Sequence, residues 1–247
     1  MTSVILFVFG AVVGSFLNVL ALRYNSGLPL GGRSSCTHCG KKLSWYELIP
    51  ILSFVFLGGR CSGCRARISR QYPLVELSTG VLFATLPLVF LPVFCLYVVI
   101  VVYDFRHKII PDGLSYTAAI FAALAALLFG NHTLLDWLAG PILFTFFGTL
   151  WLITRGRAVG FGDAKLALSI GLLLGAAAGF SAVIMAFWIG AVTGIFLILW
   201  NKGNPLLRGG KRITMKTELP FAPFLILGSW LAVLLHLDLL HVSSFFN

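Results

Sequence analysis

The sequence predicts an all-α polytopic membrane protein with about eight transmembrane helices and a small cytoplasmic zinc-ribbon-like loop domain. Three observations carry that prediction. Of the 247 residues, 59% are hydrophobic and only 11% charged, against roughly half and a quarter in a soluble domain. The apolar residues come in runs long enough to cross a bilayer. The 18 Lys and Arg, facing only 8 Asp and Glu, gather in a few loops rather than over a whole surface. The same composition excludes a disordered chain. A net charge of +10 would suggest a nucleic-acid partner in a soluble protein; here its placement argues for topology instead, and no nucleic acid is called for.

Spans are expected at about 4–22, 74–90, 92–103, 113–129, 134–154, 164–178, 182–200 and 221–240. Pro87 and Pro92 divide what would otherwise be one long helix over 74–103, and Gly175, Gly179 and Ser181 mark the turn within 164–200. The basic residues test this division. Arg23, Arg33, Lys41, Lys42, Arg60, Arg65, Arg67 and Arg70 lie in 23–73, and Arg106 and Lys108 in 104–112. Arg155, Arg157 and Lys165 lie in 155–165, and Lys202, Arg208, Lys211, Arg212 and Lys216 in 201–220. These are all the Lys and Arg of the chain, and with eight spans the four loops share one side. The positive-inside rule makes that side cytoplasmic and puts both termini outside. The first apolar run has no basic residue before it and Arg23 just after it, the reverse of a secretory signal, so it reads as a retained span. The chain thus divides into a first transmembrane helix (1–22), a cytoplasmic loop domain (23–73) and a membrane domain with seven further helices (74–247).

The loop 23–73 carries Cys36-Thr-His-Cys39 and Cys61-Ser-Gly-Cys64. Two such pairs suit a tetrahedral Zn²⁺ site, because one tight turn presents two thiolates. Gly40 and Gly63 are expected to serve those turns, and Lys41, Lys42, Arg60 and Arg65 to offset the thiolate charge. A loop this small builds little core, so a metal staple is physically reasonable. Two disulfides or four free thiols are the alternatives, and cytoplasmic placement disfavours the first. His38 is a weaker candidate ligand, and Cys95 is expected to pack within a span.

Ionisable groups at span level are costly and usually functional, so the eight acids are informative. Asp104 ends the third expected span; Asp163 opens the sixth, within Gly160-Phe161-Gly162-Asp163-Ala164-Lys165. Both lie at the expected cytoplasmic edge. Two carboxylates sharing a site cannot both ionise cheaply, so one keeps its proton and a donor stands beside a base. That pair can activate water and protonate a leaving amine. Gly160 and Gly162 are expected to let the backbone approach an extended peptide. The alternative is that Asp163 caps a helix and Asp104 is a solvated helix end. Asp112 and Asp136 read as N-caps, and Glu76 as an acid in the first turn after Pro73. Gly14 and Asn18 share a helix face, as packing residues do. A proton-coupled transporter and a membrane scaffold with a zinc docking loop are competing readings; neither accounts for paired carboxylates at one membrane edge.

Taken in order, these residues resemble the type IV prepilin peptidases, bacterial membrane aspartic proteases of the Gly-x-Gly-Asp type. The resemblance covers Gly14-Ser15-Phe16-Leu17-Asn18, the paired Cys motifs, Ser44-Trp45-Tyr46-Glu47-Leu48-Ile49-Pro50 and Tyr72-Pro73-Leu74-Val75-Glu76-Leu77. It continues through Asp104-Phe105, Ile110-Pro111-Asp112, the Gly160–Lys165 stretch and Pro220-Phe221-Ala222-Pro223-Phe224. It implies removal of the basic leader of a prepilin or pseudopilin helix at the cytoplasmic face of the bacterial inner membrane, with Asp104 and Asp163 as the catalytic pair. Many members also methylate the new N-terminus with S-adenosylmethionine; the resemblance alone suggests Glu47, Glu76 and the 23–73 loop for that step. Glu47, Glu76 and Asp112 are the acids expected to meet a basic leader, with Gly160, Gly162 and Lys165 supporting the site and membrane lipids taking up much of the basic charge. The short stretch before Gly14 makes the chain look like the compact members, among them the competence-pseudopilin peptidases of Gram-positive bacteria.

Overall fold

The computed structural model describes residues 1–27, 31–130, 132–157, 159–203 (201–203 by backbone alone) and 220–240. Among them the regular structure is helical, with two isolated antiparallel bridges, Ser35 with Lys42 and Arg60 with Arg67. Five helical stretches are long and apolar enough to cross a membrane: Thr2–Arg23, Leu88–His107, Asp112–Phe129, Leu134–Thr154 and Phe161–Trp200. The chain divides into two compact units, Met1–Arg106 and His107–Asn247.

In the first unit, α1 (Thr2–Arg23) packs against α3 (Gln71–Thr85). Small residues bring the two backbones together, as in membrane helix pairs. A Cβ on Gly14 would lie 2.9 Å from the Thr79 side chain and 3.0 Å from the Glu76 Cα, and one on Gly80 would lie 2.9 Å from the Phe7 ring. Rising numbers on α1 meet falling numbers on α3, so the helices are antiparallel and the loop between them leaves and returns on one side. That loop holds a single turn of 3-10 helix, Trp45–Leu48, and the short α2 (Leu52–Phe56). Leu86 turns extended before Pro87, ending α3 at Thr85, five residues short of the expected span end at 90, because the residue before a proline disfavours helix. α4 (Leu91–His107) follows, with Phe94, Tyr97, Val99 and Ile100 buried. It runs four residues past the expected end of the span. Asp104 therefore sits inside the last turn rather than ending the helix, because Phe105, Arg106 and His107 do not break a helix; α4 stops where Lys108 turns left-handed.

The second unit holds α5 (Asp112–Phe129), α6 (Leu134–Thr154), α7 (Phe161–Gly203) and α8 (Ala222–Leu234). α6 and α8 both pack along α7, and α5 packs on it too. α6 and α7 touch backbone to backbone, since a Cβ on Gly171 would lie 2.6 Å from the Gly140 Cα. α7 is broken at Gly175, whose φ of 72° and ψ of −170° no helix contains. The expected turn is there, at the first of its three markers; Gly179 and Ser181 are already helical. Asp136 explains how the break is held. Its carboxylate accepts the Ala176 N–H at 2.9 Å, satisfying a donor freed by the break, while its other oxygen accepts the Thr133 N–H and hydroxyl. Thr133, not Asp136, is the N-cap of α6. α8 ends at Leu234, short of the expected span end, as His236 turns left-handed. Of the expected basic loop 201–220, Arg208, Lys211, Arg212 and Lys216 and the side chain of Lys202 lie outside the described residues.

Candidate functional site

The Cys motifs fold as two copies of one knuckle. In the first, the Cys36 N–H donates to Lys41 O, the Gly40 N–H to Cys36 O, and the His38 N–H to Cys36 Sγ at 3.4 Å. In the second, the Cys61 N–H donates to Ala66 O, the Arg65 N–H to Cys61 O, and the Gly63 N–H to Cys61 Sγ at 3.4 Å. The fourth residue after each first Cys is left-handed: Gly40 at φ 71° and Arg65 at φ 59°. The expectation that Gly63 makes the second turn is corrected: Arg65 does. A Cβ on Gly63 would stand 3.1 Å from Lys41 Cδ, so the lysine side chain would have to shift slightly to admit one.

All four Sγ atoms lie within 4.8 Å of one another, and those of Cys36 and Cys64 are 3.8 Å apart. Zn–S bonds near 2.3 Å in a tetrahedron require S–S edges of about 3.8 Å, so the donor set fits a closed four-thiolate site. Its charge chemistry points the same way. The N–H groups of Cys39 and His38 pull the Cys36 thiol down to about 6. The Ala66 N–H acts in the same direction on Cys64, but burial and the neighbouring sulfurs push that thiol up to about 11. A divalent cation resolves such a conflict by taking every sulfur as thiolate.

Glu47 joins the knuckles. Its Oε1 accepts from Lys41 Nζ at 3.2 Å and from the Ser62 hydroxyl, and Lys41 also donates to Ser62 at 2.5 Å. Its Oε2 accepts the Ser44 N–H at 2.7 Å, closing a capping box. That N–H, the Ser62 hydroxyl and Lys41 hold the Glu47 carboxyl at about 2, and Glu47 in turn raises Lys41. Lys41 is thus paired first with a carboxylate, and the charge of the nearby Cys61 sulfur acts on it in the same direction, as the expected offset of thiolate charge requires.

Glu76 lies in the second turn of α3, not the first, because the helix begins at Gln71. It is buried, accepts the Ile51 N–H at 2.7 Å and the Ser15 hydroxyl, and has no ion-pair partner among the described residues. Ile51 is left-handed at φ 64°, a costly conformation for a β-branched residue. One turn along α1 from Gly14, the fully buried Asn18 accepts from Gln71 Nε2 at 2.7 Å, and Gln71 Oε1 accepts from Arg106 Nε at 3.3 Å. A guanidinium only donates, so this chain fixes both amides. It leaves Asn18 Nδ2 without a partner among the described residues. Asp104, two residues before Arg106, is buried, and no hydrogen bond or ion pair reaches it among the described residues.

In the second unit α7 begins at Phe161, and Asp163 Oδ2 accepts the Gly160 N–H at 3.0 Å across its first turn. Asp163 is therefore not the N-cap itself but the third residue of α7, reaching back to the N–H of Gly160 just before the helix. The glycines differ from expectation. A Cβ on Gly162 would lie 2.7 Å from Ile110 Cβ, so its smallness admits this chain's own segment before α5. A Cβ on Gly160 would lie 3.3 Å from Asp163 Oδ2. Asp112 is the first residue of α5, after the cap residue Pro111, and makes no side-chain cap. Its carboxylate instead pairs with the buried Lys165 at 2.5 Å. The Lys165 ammonium also lies 5.0 Å from the Phe161 ring centroid and 5.3 Å from that of Tyr116. The structure thus joins Asp112, Lys165, Phe161 and Tyr116 beside Asp163, while Asp104 belongs to the first unit.

The pairs Asp112–Lys165, Glu76–Ile51, Asp136–Ala176 and Asn18–Gln71–Arg106 were not anticipated from the sequence. The only sequence signal for any of them was that acids and amides in apolar stretches need partners.

Comparison with known proteins extends along most of the chain. Residues 8–90 match the family model described as Bacterial Peptidase A24 N-terminal domain, and residues 77–198 match that of the Type IV leader peptidase family. The chain is 36% identical over 244 residues to a prepilin leader peptidase/N-methyltransferase of Bacillus subtilis (strain 168), covering 93% of each chain. It is 29% identical over 272 residues to that of Aeromonas hydrophila, covering 93% of this chain and 89% of the relative. For that of Pseudomonas putida it is 30% over 269 residues, covering 92% and 88%. No solved structure matches the chain.

Proposed function

The chain belongs to the type IV leader peptidase family, and on that footing we propose that it removes the leader of a type IV prepilin or pseudopilin as a membrane aspartic endopeptidase. Asp104 and Asp163 are the catalytic pair. One carboxylate takes a proton from water as the water oxygen bonds to the scissile carbonyl carbon. The other carboxyl gives its proton to the leaving amine as the C–N bond breaks. The observation that carries this reading is Asp104 itself: a buried carboxyl on an apolar helix with no partner among the described residues is costly unless it has a task. Asp163 supports it from a helix N-terminus, where the backbone favours negative charge. The Asp112–Lys165 pair stands two residues along α7 and orients that turn.

The reaction takes place at the cytoplasmic face of the bacterial inner membrane, with the Cys loop on that side and both termini outside. The substrate helix reaches the pair from the bilayer. Cys36, Cys39, Cys61 and Cys64 hold a Zn²⁺ that cross-links the loop; four thiolates leave it no open position, so it is structural. The relatives' names also support methylation of the new N-terminus, for which S-adenosylmethionine is the donor. The described residues contain no strand-to-helix glycine turn, so they do not fit the sheet-fold mode of holding it.

The test uses purified protein, a prepilin peptide and the variants Asp104→Asn and Asp163→Asn. Each is expected to lose cleavage by at least about a hundredfold while keeping its metal and its unfolding temperature. Cleavage at the wild-type rate by either variant overturns the pair.

A further inference from the structure

The loop between α1 and α3 carries apolar side chains that its own fold leaves uncovered. Trp45 is 77% and Phe56 84% exposed, and Tyr46, Leu48, Leu52 and Val55 are exposed with them. With Ile49, that makes seven exposed apolar side chains within twelve residues, a density that a monomeric soluble surface rarely shows. The position of this segment says what meets it. The Ile51 N–H is bound to Glu76, and Glu76 also takes the Ser15 hydroxyl. Ser15 lies eight residues inside the end of α1 at Arg23, and Glu76 lies six residues after Arg70. At 1.5 Å per residue these are depths of about 12 Å and 9 Å along the two helices. Residue 51 is therefore drawn back alongside the helices rather than held out above them.

A polar headgroup layer is only about 5–8 Å thick on each side of the hydrocarbon, and interfacial segments sit about 5–10 Å into that boundary. The loop's charges are complementary to such a surface. Lys42, Arg60, Arg67 and Arg70 flank the apolar segment and are exposed, as basic residues that meet anionic headgroups must be. Trp and Tyr are the aromatic residues that favour this layer. Gly58 and Gly59, both left-handed, turn the chain out of the segment toward the second Cys knuckle.

We propose that residues 45–57 form a re-entrant wedge seated in the bilayer interface beside α1 and α3, tethered by the Ile51–Glu76 hydrogen bond, with Lys42, Arg60, Arg67 and Arg70 on anionic lipid headgroups. The wedge holds the four-cysteine site against the membrane surface. It stands independently of the peptidase chemistry, since it uses only the spans, the tether and the exposed side chains.

The experiment places the full-length protein in nanodiscs of phosphatidylcholine and phosphatidylglycerol. Phe56 is replaced by the photoreactive p-benzoylphenylalanine, and Thr37, at the tip of the first knuckle, by the same residue as control. After irradiation, mass spectrometry should find phospholipid joined to the loop peptide at position 56 and several-fold less at position 37. Omitting phosphatidylglycerol should lower the yield at position 56 several-fold. Absence of a lipid adduct at position 56, or adducts to a second protein copy or an added prepilin peptide in its place, overturns the wedge. A yield indifferent to phosphatidylglycerol overturns the headgroup contacts. Retained metal in the Phe56 variant establishes that the loop is folded.

Discussion

Glycine serves opposite needs in the Cys loop and in the helices of the second unit. Gly40 is left-handed with open space where a Cβ would go, so its glycine meets a conformational need. Gly171 is ordinary helix, but a Cβ there would strike the Gly140 backbone. The loop is a set of turns closed by a four-cysteine cluster and one clamp, whereas α6, α7 and α8 are held by backbone approach. The two regions should therefore fail in different ways.

The largest effect is expected at Gly171. Gly→Ala in a helix normally adds stability, about 0.5–1 kcal/mol. Gly148, also in a helix, has nothing within 4 Å of its would-be Cβ, and Gly148→Ala should show that gain. Gly171→Ala should show the reverse, a loss of about 1–3 kcal/mol from overpacking against a backbone that cannot rotate away. Thermal unfolding in detergent compares them, and a stabilising Gly171→Ala would contradict the packing described for α6 and α7.

Losing the proposed Zn²⁺ should touch only the other region. Chelation is expected to release hydrogen-exchange protection over residues 34–70 and leave α5–α8 unchanged, because the loop has little core of its own. Glu47 refines this. With its carboxyl at about 2, below the ordinary 4.5, its contribution is present above about pH 4.5 and is lost as pH falls toward 2. From pH 5 to 8 Glu47 stays ionised, and metal release follows thiolate protonation instead. Glu47→Gln should then bind metal more weakly than wild type by a constant factor across that window. Chelator competition at several pH values would reveal converging curves if the clamp itself were titrating there.

These contrasts also mark what was legible in the sequence. Hydropathy and proline placement located the helices, and the Gly175 break was visible because 164–200 is too long for one span. The clustering of the four cysteines was visible because a knuckle is local, with its spacing set by one turn. Helix ends were less so. Hydropathy drops at Asp104, but the α-helix continues to His107 because the next residues are polar without being helix breakers. At the other extreme, α8 stops at Leu234 while hydropathy stays high. Least legible were the partners of the acids. Lys165 read as an orientation charge and as support for the site, but nothing in the sequence paired it with Asp112, 53 residues away, and Glu76 had no visible reason to meet the Ile51 backbone. Such pairings depend on which helix faces meet, and composition and periodicity do not encode that.

The smallest expected effect lies between the two knuckles themselves. They share one backbone path, yet the left-handed position is Gly40 in one and Arg65 in the other. A side chain in that conformation costs about 1 kcal/mol, and glycine offsets part of any relief through its greater freedom when unfolded. Gly40→Ala should weaken metal binding by about fivefold, the equivalent of that cost. Arg65→Gly should strengthen it, by less. Arg65 is exposed, so its removal from the turn disturbs no packing. Competition against a chelator reads both variants on one scale. Opposite signs are the signature of a conformational requirement common to both knuckles; two losses would mean that the Arg65 side chain itself supports the site, and that the knuckles are alike in path but not in what holds them.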